Sequence, residues 1–268
     1  MVEDPKIIMT TQDAFAPIAN HYDDMMEHVD YARWLHIIAA LGAMLPAPFR
    51  HLEAGCGTGI LLKQITEYGW HSVGMDLSPA MLRVARHRYQ IARLVRGNFC
   101  ALPFCNHFLM ATCLFDSLNF LLTEEQFTQA MKSFHEVLLP NGIFYFDVVT
   151  EKMISSHFEN TSWTENHGRF KSAWVSSYAR QTQTCETRVR INSGDESITY
   201  ERIFTAKFIL QALQQAGFSL LAMRDANTWK EPTRRTTRID FIAVKGDAYQ
   251  YRREFKTADK AIKARQGA

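Results

Sequence analysis

The stretch His51-Leu52-Glu53-Ala54-Gly55-Cys56-Gly57-Thr58-Gly59 decides the fold of this 268-residue chain. A short extended run ends in an acidic residue, and three glycines follow at alternate positions before the apolar run Ile60-Leu61-Leu62. Glycine suits a backbone that turns with positive φ or lies flush against a ligand, so the pattern predicts a strand-to-helix turn built around a ligand. The first N–H groups of the helix lack internal partners and favour an anionic group there.

A second short strand, His71–Met75, leads to Asp76. An acidic side chain about 20 residues beyond a glycine turn is placed to accept hydrogen bonds from a ribose diol. The turn departs from the dinucleotide fingerprint Gly-x-Gly-x-x-Gly, because its glycines are spaced Gly-x-Gly-x-Gly and Glu53 precedes them. Taken alone, the glycines are also compatible with a purely structural turn.

This variant resembles the first motif of the class I S-adenosylmethionine-dependent methyltransferases, and later blocks are similar to the motifs that follow it there. The blocks are Gly74–Leu82 (second strand), Leu94–Phe99 (adenine-contacting loop), Ala111–Leu121 (fourth strand) and Leu139–Asp147 (the next turn and strand). The resemblance covers residues 51–147 and implies S-adenosylmethionine as the cofactor.

The resemblance also implies which residues bind the cofactor. Asp76 is the expected ribose ligand, and Glu53 is expected to bind the methionine end through backbone or water. Asn98 replaces the aspartate usual in the adenine loop, and its amide oxygen can still accept. Phe99 is compatible with stacking on the base and equally with core packing. The expected cofactor residues in this part of the chain are Glu53, Ala54, Gly55, Cys56, Gly57, Thr58, Gly59, Asp76, Leu77, Met81, Gly97, Asn98, Phe99, Phe115, Asp116 and Ser117.

Strand patterns alternate with helical patterns along the first half of the chain, which predicts crossover units and a mainly parallel sheet. Ser78-Pro79 predicts a helix start, and Thr123–Gln126 has the sequence of a capping box. We therefore predict an α/β fold: a Rossmann-like doubly wound seven-stranded sheet, mainly parallel, with an inserted antiparallel β-sheet. The strands of its first half are expected at about 49–54, 71–76, 93–97, 109–115 and 143–149.

The chain divides by pattern into a core and three further segments. Residues 46–150 and 205–246 are predicted to form the methyltransferase core, and residues 151–204 an antiparallel sheet inserted on the substrate side. That segment alternates polar and apolar residues. In the small-molecule subgroup that the chain resembles, such an insertion covers the substrate or mediates dimer contacts, so a homodimer stays open. Residues 247–268 are interpreted as a charged tail, either a solvated helix or a frayed end.

Residues 1–45 are predicted to form an N-terminal helical lid segment. In the subgroup, a similar Tyr-Asp segment followed by Tyr-x-x-Trp lies over the methionine end of the cofactor. By this resemblance Tyr22 is a cofactor or substrate contact, Arg33 a cofactor contact and Tyr31 a substrate contact. Packing on the sheet is the alternative, because Tyr31, Trp34 and Ile38 recur at helical spacing.

Further substrate contacts are expected at Asn119, Asp147, Trp174 and Tyr178. The insertion and the segment near the last strands supply other aromatic and basic pocket candidates, for which sheet packing or a solvated arginine is the alternative. They are Trp163, Arg180, Arg202 and Trp229.

Composition narrows the class of protein. The net charge of +2 gives no overall footprint for nucleic acid, and 47% hydrophobic residues suffice for a sizeable core. The five cysteines form no Cys-x-x-Cys pair, so we expect reduced thiols, no metal and a cytoplasmic location. No apolar run approaches the length of a membrane span, and Met1–Pro5 does not resemble a signal sequence.

The reaction implied by the resemblance is in-line transfer of a methyl group, for which an enzyme supplies orientation and a dry site. An amine acceptor need only be unprotonated, whereas a hydroxyl requires a base, with His21, Asp116 and Asp147 as candidates. We expect a small-molecule N- or O-methyltransferase, with an amine on an amino sugar, amino acid or secondary metabolite preferred. An RNA or protein methyltransferase and a non-catalytic cofactor-binding module are the alternatives.

Overall fold

The computed structural model describes residues 13–266, so the Met1–Pro5 segment lies outside the described residues. The strands are β1 (Arg50–Ala54), β2 (His71–Asp76), β3 (Leu94–Arg96), β4 (Phe108–Cys113), β5 (Leu138–Val149), β6 (Thr161–Asn166), β7 (Lys171–Ala179), β8 (Thr184–Ile191), β9 (Glu196–Arg202), β10 (Phe218–Asp225) and β11 (Arg238–Lys245). The α-helices are α1 (Tyr22–Met25), α2 (Tyr31–Gly42), α3 (Ile60–Glu67), α4 (Pro79–Tyr89), α5 (Glu124–Val137), α6 (Glu151–His157), α7 (Ala206–Gln215) and α8 (Arg252–Gln266).

Seven strands form one sheet in the order β10-β11-β5-β4-β1-β2-β3. Strands β1 to β5 pair in parallel, and β11 is antiparallel to both of its neighbours. The chain order reverses between β1 and β4, and the crevice outside the carboxyl ends at such a point is where open α/β sheets bind ligands. The predicted fold class is confirmed, including a separate antiparallel sheet in the order β6-β7-β8-β9.

Helices cover both faces of the seven-stranded sheet. Along β5, Phe144 and Phe146 belong to a core cluster that includes side chains of α5 and α7. Ile143 and Tyr145 belong to a second cluster that includes side chains of α2, α3 and α8. Alternation along a strand places successive side chains on opposite faces, so each face receives its own apolar layer.

The predicted helix starts are confirmed by their caps. The Ser78 side chain accepts a hydrogen bond from the N–H of Met81, with Pro79 in the first turn. Thr123 and Gln126 bond each other's backbone N–H groups in a complete capping box before α5. Each cap satisfies N–H groups that have no partner within the helix.

The end of β4 and the arrangement of the C-terminal tail differ from the expectations for identifiable reasons. β4 ends at Cys113 instead of residue 115, because Phe115 and Asp116 have φ values of 58° and 53°, which an extended strand does not permit. The charged tail is not a frayed end through residue 266, because α8 places Phe255, Ala258 and Ile262 in or against the core. Its contacts with α2 make the helix part of the fold.

One buried side chain joins the inserted sheet to the core. Asn119 is 0% exposed; its Nδ2 donates to the carbonyl of Arg202 at 2.8 Å, and its Oδ1 accepts from the N–H of Val149 at 3.1 Å. Asn119 was predicted to contact substrate, but both ends of its amide are bound to the backbone. The side chain therefore holds β9 beside the end of β5.

Replacing Asn119 with Ala should lower the free energy of unfolding by about 2–5 kcal/mol, because it removes two hydrogen bonds and leaves two buried backbone groups without partners. Urea titration of the purified protein measures the change. Asn166→Ala, which removes an exposed contact to the N–H of Gly168, is the control and should stay within about 0.5 kcal/mol. Equal stability of the Asn119 variant and the control would contradict this role.

Candidate functional site

The glycine turn after β1 has a backbone that only glycine accepts at low cost. Gly55 and Gly57 have φ values of 74° and 54°. A Cβ atom on Gly55 would lie 2.5 Å from Ser117 Oγ, so this glycine is needed for packing. A Cβ atom on Gly57 would meet nothing within 4 Å. The backbone at Gly57 therefore borders open space, which a ligand lying flush against the turn can fill.

Asp76 is fixed next to this turn. One carboxylate oxygen accepts from the N–H of Gly57 at 2.8 Å, and the other accepts from the N–H of Ser78 at 2.8 Å. Burial raises the pKa of Asp76, and these two N–H groups oppose the rise. Each oxygen can accept a further hydrogen bond, so the carboxylate can bind a pair of hydroxyl groups.

Glu53, at the carboxyl end of β1, is buried without full hydrogen bonding. Its side chain is 4% exposed, and its Oε2 has no partner among the described residues. Burial, followed by the nearby Asp76, raises the pKa of Glu53 to about 8. A buried carboxyl oxygen without a donor is costly, and a ligand with a cationic donor would remove that cost. Glu53, Asp76 and the Gly57 backbone thus fit the two ends of S-adenosylmethionine.

Arg238, at the start of β11, binds both carboxylates that were predicted as candidate bases. Its Nη1 donates to Asp116 Oδ1 at 2.9 Å and also to Asp147 Oδ2. Its guanidinium carbon lies 5.3 Å from the ring centre of Phe115. One oxygen of each carboxylate is therefore held in an ion pair. Burial raises the pKa of Asp147, and Arg238 opposes the rise.

Arg33 has a comparable partner. Its Nη2 donates to Asp240 Oδ2 at 2.8 Å, so the predicted cofactor contact is engaged by the core. Burial raises the pKa of Asp240 to about 6, and Arg33 opposes the rise. Arg33 Nε and Asp240 Oδ1 are buried without partners among the described residues. Tyr31, on the same helix, packs edge-on against Trp34 with ring centres 5.9 Å apart.

Residues 13–26, which end with α1, connect the cofactor side of the molecule to the inserted sheet. We call this segment the strap. Asp13 Oδ2 accepts from Ser78 Oγ at 2.8 Å and from the N–H of Ala80 at 2.9 Å. On the side of the inserted sheet, the centres of the His21 and Phe170 rings lie 4.4 Å apart. Tyr22 belongs to the clusters on both sides, and burial raises its pKa well above its usual value.

The remaining predicted cofactor residues differ in their exposure and in their capacity for further hydrogen bonds. Asn98 Oδ1 accepts from the N–H of Cys100 at 2.9 Å, so part of its acceptor capacity is used locally. Phe99 packs against the core and lies 5.9 Å from the ring of Phe134. Leu77 is 60% exposed beside Asp76, whereas Met81 is buried under the strap.

Small residues complete the turn. A Cβ atom on Gly97 would lie 2.5 Å from Met75 Sδ, so this glycine is required for packing. Ser117 Oγ donates to the carbonyl of Leu114 at 2.8 Å, which holds the bend after β4. Three other predicted cofactor residues in the turn are buried: Ala54, Cys56 and Thr58. The last predicted residue of the turn, Gly59, has a φ value of 86°.

The aromatic pocket candidates mostly have structural contacts. Trp174 stacks on Trp163 with ring centres 5.3 Å apart and donates to Ser172. Tyr178 packs in a cluster beside α6. Trp229 is 0% exposed and donates to Asp259 at 3.1 Å, which agrees with packing, the alternative to a pocket role. It lies in the core beneath α8.

The basic candidates also have acidic partners. Arg180 forms a bidentate contact with Glu159 on the surface, and Arg202 lies near Glu124. Within residues 13–266 there is no group of three or more side chains that could bind a metal ion. Over the same residues, no helix has the length and apolar character of a membrane span.

We expect Glu53→Gln to change the pH dependence of stability. Folded Glu53 keeps its proton up to about pH 8, whereas the unfolded residue loses it near its usual value of 4.5. The wild type should therefore lose stability relative to the variant as pH rises from 5 to 8, by up to about 4 kcal/mol. Urea titrations at both pH values measure this difference. Glu67→Gln, at an exposed site, is the control. A difference that does not vary with pH would contradict the buried acid.

Comparison with known proteins agrees with this site. Residues 52–142 match the family described as a methyltransferase domain. YqeM of Bacillus subtilis (strain 168), whose methyltransferase assignment is itself provisional, is 27% identical over 85% of this chain and 95% of its own length. The dTDP-3-amino-3,4,6-trideoxy-α-D-glucopyranose N,N-dimethyltransferase of Streptomyces venezuelae is 33% identical over 42% of this chain and 48% of its own length.

A solved structure shares the fold over most of the chain. An S-adenosylmethionine-dependent methyltransferase from Clostridium acetobutylicum ATCC 824 superimposes with a TM-score of 0.77 at 20% identity, covering 86% of this chain and 98% of that one. The matched family spans the glycine turn and Asp76, where the geometry fits S-adenosylmethionine. Residues 52–142 of the chain form a methyltransferase domain, and the chain has the fold of S-adenosylmethionine-dependent methyltransferases.

Proposed function

We propose that this enzyme transfers a methyl group from S-adenosylmethionine to an amine of a small molecule, with an amino sugar as the favoured class. The observation that carries the proposal is the Arg238 bridge, which holds one oxygen of Asp116 and one oxygen of Asp147 in ion pairs. A hydroxyl acceptor requires a strong base within hydrogen-bond reach, whereas an amine needs only to be unprotonated. The site therefore suits an amine better than a hydroxyl.

The chain's residues bind and orient the reacting groups. S-adenosylmethionine supplies a methyl group on a positively charged sulfur. Asp76 is placed for the ribose hydroxyls, and Glu53 for the cationic methionine end. Gly57 lets the turn lie against the cofactor. Held in this way, donor and acceptor react within one complex, and orientation supplies much of the rate.

The strap and the inserted sheet are proposed to exclude water from the site. The strap is anchored to the cofactor side through Asp13 and to β9 through the Ser197 hydroxyl, which donates to the carbonyl of Ala14 at 2.8 Å. Tyr22 lies between these anchors and contributes a ring that displaces water. Closing a site in this way strengthens the electrostatic interactions within it.

Two further observations support a small acceptor. The Streptomyces venezuelae relative acts on an amino sugar, although its match covers less than half of either chain. Arg238, which a basic surface for RNA would have to include together with Arg234 and Arg235, is instead buried in its ion pairs. The proposal therefore takes amine methylation of a small molecule as the activity.

The proposed activity predicts that amines, and not the matching alcohols, accept the methyl group. The enzyme is incubated with S-adenosylmethionine carrying a labelled methyl group and a panel of amino sugars, amino acids and their hydroxyl counterparts. Label should appear on nitrogen in at least one amine and on none of the alcohols. Label on alcohols, RNA or protein in place of amines would contradict the proposal.

Gly57→Ala should separate cofactor binding from folding. The variant adds a methyl group to the open space beside the turn and strains a residue at φ 54°, so folding should weaken by about 1 kcal/mol and binding of S-adenosylhomocysteine by tenfold or more. Gly69→Ala is the control, since Gly69 has φ 101° and also meets nothing within 4 Å. Calorimetric titration measures both affinities. Equal affinity of the two variants would contradict a cofactor at Gly57.

A further inference from the structure

Asp13, at the start of the strap, acts as a second cap for α4. Its Oδ2 accepts hydrogen bonds from Ser78 Oγ at 2.8 Å and from the N–H of Ala80 at 2.9 Å, and its Oδ1 accepts from the N–H of Phe15 at 3.1 Å. The N–H of Ala80 lies in the first turn of α4, where the helix itself supplies no acceptor. Ser78 caps the same helix by accepting from the N–H of Met81. The start of α4 is therefore held partly by its own N-cap and partly by the strap.

Ser78 joins Asp13 to Asp76, the proposed ribose ligand. Its hydroxyl donates to Asp13, and its N–H donates to Asp76 Oδ1 at 2.8 Å. Asp76 Oδ2 accepts from the N–H of Gly57 at 2.8 Å, so the glycine turn holds this carboxylate from the other side. Ser78 is 5% exposed, so water has little access to its hydrogen bonds. One serine thus links a carboxylate of the strap to a carboxylate of the cofactor site.

The short segment between Asp76 and α4 is held by hydrogen bonds more than by packing. Leu77 is 60% exposed, although it is apolar and directly follows Asp76. Ser78 and Ala80 are buried. Without Asp13, the hydroxyl of Ser78 and the N–H of Ala80 would lack the acceptor that they have in this structure. The position of Asp76 therefore depends on whether the strap is in place.

The strap meets the inserted sheet at the residue next to Asp13. The carbonyl of Ala14 accepts from Ser197 Oγ of β9 at 2.8 Å. Phe15 then packs edge-on against Phe120, beyond the bend after β4, with ring centres 5.5 Å apart. Three consecutive residues thus contact the cofactor side, the inserted sheet and the segment after β4. Movement of the strap at either of the last two contacts displaces Asp13.

We propose that Asp13 is a positioning residue for the cofactor: through Ser78 it holds Asp76 in the geometry that binds the ribose diol, and it couples docking of the strap to cofactor binding. This inference rests on the proposed function, in which Asp76 binds the ribose. Coupling between two equilibria is reciprocal, so the cofactor favours the docked strap by the same factor by which the docked strap favours the cofactor.

Hydrogen bonds, and not the charge of Asp13, carry this coupling. The N-terminus of α4 favours a negative charge at Asp13. The same charge disfavours that of Asp76: burial raises the pKa of Asp76, and Asp13 raises it further. These two charge effects oppose each other, whereas the bonds from Ser78 and Ala80 both favour the docked strap. Asparagine, which keeps an oxygen acceptor without the charge, should therefore replace Asp13 with little loss.

Recognition of the ribose 2′-hydroxyl tests the positioning role. Calorimetric titration compares S-adenosylhomocysteine with its 2′-deoxy analogue in the wild type, Asp13→Ala, Asp13→Asn and Asp24→Ala. Asp24 lies on α1 of the strap and is exposed, so its substitution removes the same charge from the same segment without touching Ser78. We expect the wild type, Asp13→Asn and Asp24→Ala to prefer the ribose ligand by about tenfold, and Asp13→Ala by about threefold or less.

The preference between the two ligands separates positioning from a purely structural role, which would weaken both ligands equally. An unchanged preference in Asp13→Ala, or a preference lost equally in Asp13→Asn, would overturn the inference. If the wild type itself shows no preference, the ribose role of Asp76 fails and the inference with it. If the wild type shows a preference that Asp13→Ala retains, only the inference fails.

Hydrogen exchange tests the reciprocal effect of the cofactor on the strap. The N–H groups of Ile18 and Ala19 both donate to the carbonyl of Phe15 within the strap. Saturating S-adenosylhomocysteine should slow the exchange of these two groups more in the wild type than in Asp13→Ala. No slowing in the wild type, or equal slowing in both proteins, would overturn the coupling.

Discussion

Burial of carboxyl groups at the carboxyl edge of the parallel sheet is the constraint on which the site depends. Glu53, Asp76, Asp147 and Asp240 are all buried or nearly so at or beside this edge. Removing a carboxylate from water is costly unless donors or cations replace the water. The fold supplies two N–H groups to Asp76, Arg238 to Asp147 and Arg33 to Asp240. Glu53, Asp147 and Asp240 each keep one oxygen without a donor among the described residues.

This shortage of donors explains why the site suits cations. The methionine end of the cofactor carries an ammonium group next to the positively charged sulfur, and an amine acceptor adds another positive charge. The raised pKa of Glu53 means that this side chain holds a proton near pH 7 where it would otherwise carry an unbalanced charge. A cationic ligand can take the place of that proton. Arg33 and Arg238 reduce the net negative charge at this edge of the sheet. Without them, the buried carboxylates Asp240 and Asp147 would have no cationic partner, which is costly.

Local sequence patterns predicted the parts of the site that lie close together in the chain. The glycine turn, Asp76 and the caps at Ser78 and Thr123 depend on neighbouring residues, so spacing alone indicates them. The mainly parallel sheet was predicted from the alternation of strands with helices. The inserted antiparallel sheet was also visible, because polar and apolar residues alternate across it.

Contacts between residues far apart in the chain could not be predicted from local sequence patterns. Arg238 reaches Asp116 and Asp147 only because β11 pairs with β5, and no local pattern distinguishes it from a solvated arginine. Asn119 lies within the fourth-strand motif and was predicted to contact substrate, but its amide is bound to the backbone of β5 and β9. The burial of Trp229 depends on the packing of α8, a contact between distant parts of the chain that local spacing does not show.

Proton release on cofactor binding tests the central claim most directly. Calorimetric titration of S-adenosylmethionine at pH 7, in buffers that differ in ionisation enthalpy, counts the protons exchanged. A cation that displaces the proton of Glu53 must release it, so the account predicts net release by the wild type and a smaller release by Glu53→Gln. Binding without proton release at pH 7, or equal release by both proteins, would contradict it.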